Sequence, residues 1–141
     1  MNEVILDTDI WSEILKGNNQ HVRSHAARYR LYYDHLTLST ITLMEIVSGL
    51  RRTDNKHTIQ LISEAMQNEK LRILSFDKAC AFLAGEIYAS LERAGQRIGY
   101  PDTMIAATAI VYGLPLVTGN QRHYQRIVAQ GYDLQLDNWR I

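Results

Sequence analysis

Residues 96–109 read Gln96-Arg97-Ile98-Gly99-Tyr100-Pro101-Asp102-Thr103-Met104-Ile105-Ala106-Ala107-Thr108-Ala109, and this stretch decides the fold. Tyr100-Pro101 stops the chain and restarts it, because proline suits the first turn of a helix. A helix is predicted from there to about Gly113. Counting from Asp102, Ile105, Ala106 and Ala109 fall at i+3, i+4 and i+7, one helical face. A carboxylate therefore heads an apolar stripe of small side chains. Free N–H groups and the helix dipole favour an anion at that place. Asp102 either caps its helix, as aspartates commonly do, or looks into an acidic site shared with distant residues.

Outward toward the C-terminus, Gly113-Leu114-Pro115 turns the chain and Leu116-Val117-Thr118 is a short strand. Gly119-Asn120-Gln121-Arg122-His123-Tyr124 leads into a short helix ending near Gly131. Asp133-Leu134-Gln135-Leu136 reads as an edge strand, and Trp139 closes the core. Toward the N-terminus, Asp77 can cap a long helix to about Ala94, ended by Gly95. Leu71-Arg72-Ile73-Leu74 is a strand. Thr53-Asp54-Asn55 breaks the chain before a helix at about Lys56 to Asn68. From Thr40 to Arg52, Leu43, Ile46, Val47 and Leu50 make a helical stripe, preceded by the strand Leu36-Thr37-Leu38-Ser39. Glu45 lies off the centre of that stripe, where a solvated glutamate is ordinary. The stretch to about Tyr33 carries His21, Arg23, His25, Arg28 and Arg30, with Val22, Ala26, Tyr29 and Tyr33 on one face. It reads as a half-buried helix, since its histidines lack acidic or cysteine companions at ligand spacing. Val4-Ile5-Leu6 is a buried strand ending in Asp7-Thr8-Asp9, followed by a helix closed at Gly17.

The chain of 141 residues, 46% hydrophobic, suits one domain spanning residues 1–141 with a real core. Fifteen basic residues balance fifteen acidic ones, so net charge gives no sign of nucleic acid and such a reading must rest on local arrangement. The single Cys80 excludes an internal disulfide and fits a reducing compartment. No basic region precedes a long apolar run, and no stretch is apolar long enough to span a bilayer. A cytoplasmic protein with no membrane partner is expected.

Strands alternating with helices imply a three-layer α/β/α sandwich around a mainly parallel sheet of four to five strands. Right-handed crossovers put the carboxyl ends of such strands on one edge, where sites form. Asp7 ends the first strand, Thr118 and Asn120 end the fourth, and the start of the Asp102 helix falls on the same edge. If Asp7, Glu45 and Asp102 meet there, their repulsion pushes one toward protonation unless a cation compensates. Oxygen-only ligands point to Mg²⁺ or Mn²⁺ rather than structural zinc. Such an ion binds a phosphate and activates water, so the implied reaction is phosphodiester hydrolysis.

Four segments carry a resemblance: Leu6-Asp7-Thr8-Asp9, Ser39-Thr40-Ile41-Thr42-Leu43-Met44-Glu45-Ile46, Asp102 to Ala109, and Leu116-Val117-Thr118-Gly119-Asn120. In this order and spacing they cover nearly the whole chain, which resembles PIN-domain proteins of the VapC type, toxin ribonucleases of toxin–antitoxin pairs. The resemblance implies a metal-dependent endoribonuclease whose acidic cluster corresponds to Asp7, Glu45 and Asp102, holding Mg²⁺ or Mn²⁺. It also implies a cognate antitoxin that blocks the site and covers an apolar groove, a homodimer, and structured RNA, often transfer RNA, as substrate. Two departures stand out. A fourth acid common in the family is Asn120 here, and the common aspartate three residues on is His123. Asp9 stands where many relatives have asparagine, and reads as an N-cap of the first helix in preference to a metal ligand. Asp9, Thr118, Asn120 and His123 are thus candidates for a supporting shell. Asn120 can offer a carbonyl oxygen or hold a water, and His123 can bond a phosphate or shuttle a proton.

Lys16, Arg51, Arg52, Arg97 and Arg122 are candidate RNA-phosphate contacts, which would position RNA without reading its sequence. Trp11, Tyr29, Tyr32, Tyr33 and Leu50 are candidates for partner surfaces or, equally, for the domain's own core. Competing readings are a PIN-fold nuclease of RNA processing or DNA repair, a non-catalytic RNA-binding module, and a nucleotide-binding α/β domain. The last ranks lowest, because Asp7-Thr8-Asp9 stands where a glycine-rich phosphate loop would follow strand one.

Overall fold

A computed structural model describes residues 1–141. Its elements run β1 (Ile5–Leu6), α1 (Thr8–Lys16), α2 (Gln20–Tyr29), β2 (Leu36–Ser39), α3 (Thr40–Arg52), α4 (Lys56–Gln67), β3 (Leu71–Leu74), α5 (Lys78–Arg93), α6 (Tyr100–Tyr112), β4 (Leu116–Val117), α7 (Gln121–Ala129) and β5 (Leu136–Asp137). All the ladders are parallel, in the orders β1-β4-β5 and β2-β3. β1 lies against β2 without a ladder between them. Val4 and Leu6 pack with Leu36 and Leu38 there, and two side-chain bonds to neighbouring elements brace the join. The Val4 N–H donates to the Tyr29 hydroxyl at 3.3 Å, and the Thr37 hydroxyl donates to Glu3 at 2.8 Å.

Residue alternation on the short strands builds a core on each face. Ile5 and Leu116 pack with Ile87, Leu91, Ile105 and Ile127 of α5, α6 and α7. Their neighbours Leu6 and Val117 pack on the other face with Ile10, Trp11, Val22 and Ile62 of α1, α2 and α4. Helices on both faces make the three-layer sandwich expected of alternating strands and helices. No helix is long and apolar enough to cross a membrane.

The pivotal helix α6 starts at Tyr100-Pro101 and ends at Gly113, whose φ of 69° is the left-handed conformation a helix C-terminus favours. Ile105 through Ala109 are all buried, so burial extends beyond the single stripe. α2 stops at Tyr29, four residues short of the expected Tyr33, and the C-terminal strand starts at Leu136 rather than Asp133. Trp139 is buried as expected, stacked near parallel with His25 at 5.9 Å. Tyr29 and Trp11 belong to the core, 1% and 2% exposed, which removes them as free partner surfaces.

Candidate active site

β1 delivers Asp7 to its carboxyl end, and the chain turns directly into α1. Asp7 is the N-cap of that helix, its Oδ1 accepting the Thr8 N–H at 2.8 Å. Asp9 is therefore inside the first turn and does not cap it. This corrects the sequence expectation, and the cause is that α1 begins at Thr8. Asp9 Oδ2 instead accepts the Gly119 N–H at 2.9 Å, while its Oδ1 is buried with no hydrogen-bond partner.

β4 delivers Thr118 beside Asp7. The Thr118 hydroxyl donates to Asp7 Oδ2 at 2.8 Å and accepts the Asn120 N–H at 2.9 Å. Asp102 is likewise not a cap. Gly99 occupies that place without a side-chain bond, and Asp102 lies in the first turn of α6. Its Oδ2 is 3.3 Å from His123 Nδ1, which is 3.0 Å from the Asn120 amide nitrogen. Glu45 is not a solvated surface group: its Oε1 accepts the Thr8 hydroxyl at 2.7 Å, and Thr8 Oγ1 is also 3.0 Å from the Thr42 hydroxyl.

Electrostatics tie Asp7, Asp9, Asp102 and Tyr124 into one region, which Glu45 joins through the Thr8 hydroxyl. Burial pushes the Asp7 carboxyl up to about 7, and the charges of Asp9 and Asp102 push the same way against the bonds from Thr118 and Thr8. Burial also raises Asp9, with the Gly119 N–H and Arg140 opposing. Tyr124, at 0% exposure, has a hydroxyl with no hydrogen-bond partner. Burial and the neighbouring Asp7 and Asp102 hold its proton well above the ordinary phenol range. Sequence reading missed Tyr124 because its α7 position reads simply as apolar core.

No three acidic, histidine or cysteine side chains are gathered into one ready coordination sphere. The residues nevertheless fit a hard divalent cation in donor chemistry and charge. Their donors are oxygens, no lysine or arginine pairs with Asp7, Glu45 or Asp102, and a buried Asp9 oxygen lacks a partner.

The candidate cations are spread more widely. Arg122 lies in the first turn of α7 next to His123. Arg97 precedes α6 and faces Glu92 at 3.8 Å. Lys16, Arg51 and Arg52 stand at the C-terminal ends of α1 and α3. Each helix starts at the strand edge, so these three lie roughly 12–18 Å along the helix axes from it, given a rise of about 1.5 Å per residue. The structure does not bring them to the carboxylates. The cation that does approach, Arg140, was not among the expected ones: its guanidinium is 3.7 Å from Asp9 Oδ2.

Fold and acidic edge together define a PIN domain, and the family model for the PIN domain matches residues 4–129. The chain belongs to the PIN-domain family. Among its relatives, the tRNA(fMet)-specific endonuclease VapC of Salmonella typhimurium is 30% identical over 139 residues, 99% of each chain. The protein of the same name from Shigella flexneri is 32% identical over 127 residues, 90% of this chain and 93% of its own. Among solved structures, a DNA-bound VapBC from Salmonella typhimurium superposes with a TM-score of 0.81 at 30% identity, covering 99% of both chains. VapBC2 from Rickettsia felis, bound to a DNA fragment from its promoter, gives 0.80 at 27% identity, covering 98% of this chain and 99% of that one.

Proposed function

We propose that this protein is a metal-dependent endoribonuclease, the toxin of a toxin–antitoxin pair, cutting structured RNA such as transfer RNA. The observation that carries the reading is Asp7, buried at the end of β1 beside Asp9 and Asp102 with no paired lysine or arginine. The VapC names of full-length relatives and the VapBC complexes among similar structures support it.

Asp7, Asp102 and Glu45 would hold Mg²⁺ or Mn²⁺, which when bound supplies an activated water and charge neutralisation at the phosphate. The chain's own residues do the rest. Thr8 N–H and the Thr118 hydroxyl fix both oxygens of Asp7. The Thr8 hydroxyl holds Glu45 toward the same edge. His123 Nδ1 is engaged by Asp102 and Asn120, which orients the ring and leaves Nε2 as the nitrogen that would bond a phosphate or pass a proton.

The antitoxin would cover the groove between α1 and α4, about 560 Å³, lined by Ile14, Leu15, Leu61, Ile62 and Ala65. Leu15 and Leu61 are 37% and 48% exposed there. For the homodimer, Phe82 and Tyr100, exposed on α5 and α6, are added to the exposed Tyr32 as contact residues. Expression of the protein should arrest growth, and co-expression of the small neighbouring gene product should relieve it. Unimpaired growth at high expression of folded protein would contradict the toxin assignment.

A further inference from the structure

Arg140 is the one lysine or arginine within ion-pair distance of the acidic edge, and the fold makes specific room for it. Its Nη2 lies 3.7 Å from Asp9 Oδ2 and 3.6 Å from Glu13 Oε1. At these lengths the contacts are ion pairs without hydrogen bonds. The only hydrogen bond Arg140 donates comes from its backbone, to Asn138 Oδ1 at 2.9 Å. All five guanidinium N–H donors therefore have no acceptor in the protein, on a side chain 39% exposed. Unlike the other arginines whose donors are free, Arg140 stands within ion-pair reach of Asp9 at the acidic edge.

Gly119 is the accommodation. A Cβ there would meet Arg140 Cδ at 2.8 Å and its Nε and Nη1 at 2.9 Å. The same Gly119 gives its N–H to Asp9, so Gly119, Asp9 and Arg140 form one unit. Asp9 in turn is the strongest neighbouring charge on Asp7.

We propose that Arg140 is a phosphate-binding residue of the site, its guanidinium gripping a phosphodiester of the RNA strand that enters over Asp9. This rests on the ribonuclease reading above. Guanidinium is planar and pairs phosphate through two N–H groups at once. Asp9 and Glu13 keep it at the rim while RNA is absent. Half-exposed ion pairs of this kind are weak, so a phosphate can displace them. Acids this close also repel an approaching strand, and a cation fixed among them offsets that repulsion at the point of approach.

The test uses Asp102→Asn protein with Mg²⁺, which binds without cutting, and labelled transfer RNA titrated at several KCl concentrations. Adding Arg140→Gln should weaken binding about tenfold at low salt and flatten the salt dependence by about 0.7–0.9 in log–log slope, one phosphate's worth. Gly119→Ala keeps the charge but pushes the side chain aside, and should reproduce most of the loss with an unchanged thermal midpoint. Equal affinity and slope in the Arg140→Gln protein would overturn the proposal. So would a lowered midpoint with an unchanged slope, which would make Arg140 a tail anchor only. Absence of any RNA binding by the Asp102→Asn parent would overturn the ribonuclease reading along with it.

Discussion

The Thr118 hydroxyl donates to Asp7 Oδ2 at 2.8 Å, joining the end of β4 to the end of β1 across 111 residues of sequence. The parallel pairing of Leu6 with Val117 makes the contact inevitable, because the next residue of each strand then emerges side by side. Thr118→Val should lower stability by about 1–3 kcal/mol, since it strips a buried carboxylate of a donor and leaves the Asn120 N–H without its acceptor. Chemical denaturation with and without Mn²⁺ checks this. A change below half a kilocalorie, on the order of a surface substitution, would contradict it.

Asp7 should make the metal-free protein less stable as pH rises. Its folded value of about 7 exceeds the ordinary 3.8, so between those values the folded state binds more protons than the unfolded one. The contribution is fully present below about pH 4 and lost on passing through 7. A shift of this size represents on the order of 4 kcal/mol. Asp7→Asn, measured in EDTA at pH 8, should therefore raise the melting temperature by several degrees while abolishing cleavage. A lower midpoint for the variant at pH 8 would refute the burial argument.

Much of this was legible in the sequence, and the exceptions share a cause. The Tyr100-Pro101 restart and Gly113 stop mark α6 because proline and glycine act through local backbone geometry. The capping roles were misassigned because Asp7 and Asp9 are both chemically able to cap, and only the point where β1 releases the chain chooses between them. The seam between β1 and β2 could not be read either, since no ladder joins the strands and their contact rests on the packing of Val4, Leu6, Leu36 and Leu38 with the Thr37–Glu3 bond beside it. Tyr124 and Arg140 were invisible for the same reason. Each matters through neighbours far along the chain: Asp7 and Asp102 for Tyr124, Asp9 and Gly119 for Arg140.

Position 120 offers a gain-of-function test. Asn120 faces His123, which faces Asp102, so an aspartate there would add charge at the margin of the acidic edge. Asn120→Asp should tighten Mn²⁺ binding several-fold in calorimetry. Unchanged affinity would place this side chain outside the ion's reach.

Leu61 separates docking from catalysis. It is 48% exposed on α4, in the groove assigned to the antitoxin and away from Asp7. Leu61→Asp should leave RNA cleavage intact and weaken antitoxin binding at least tenfold, because a carboxylate would enter an apolar contact. Wild-type inhibition of the variant by antitoxin would remove the groove from the interface.

The most direct measurement is cleavage of total and transfer RNA by the purified protein with Mg²⁺, Mn²⁺ or EDTA, beside Asp102→Asn. The variant keeps the shape of the side chain and its contact with His123 while removing the charge. Discrete cuts that need the metal and vanish in the variant are the predicted result. Cuts that persist in EDTA or in Asp102→Asn, or folded antitoxin-free protein that cuts none of the RNAs, would contradict the account.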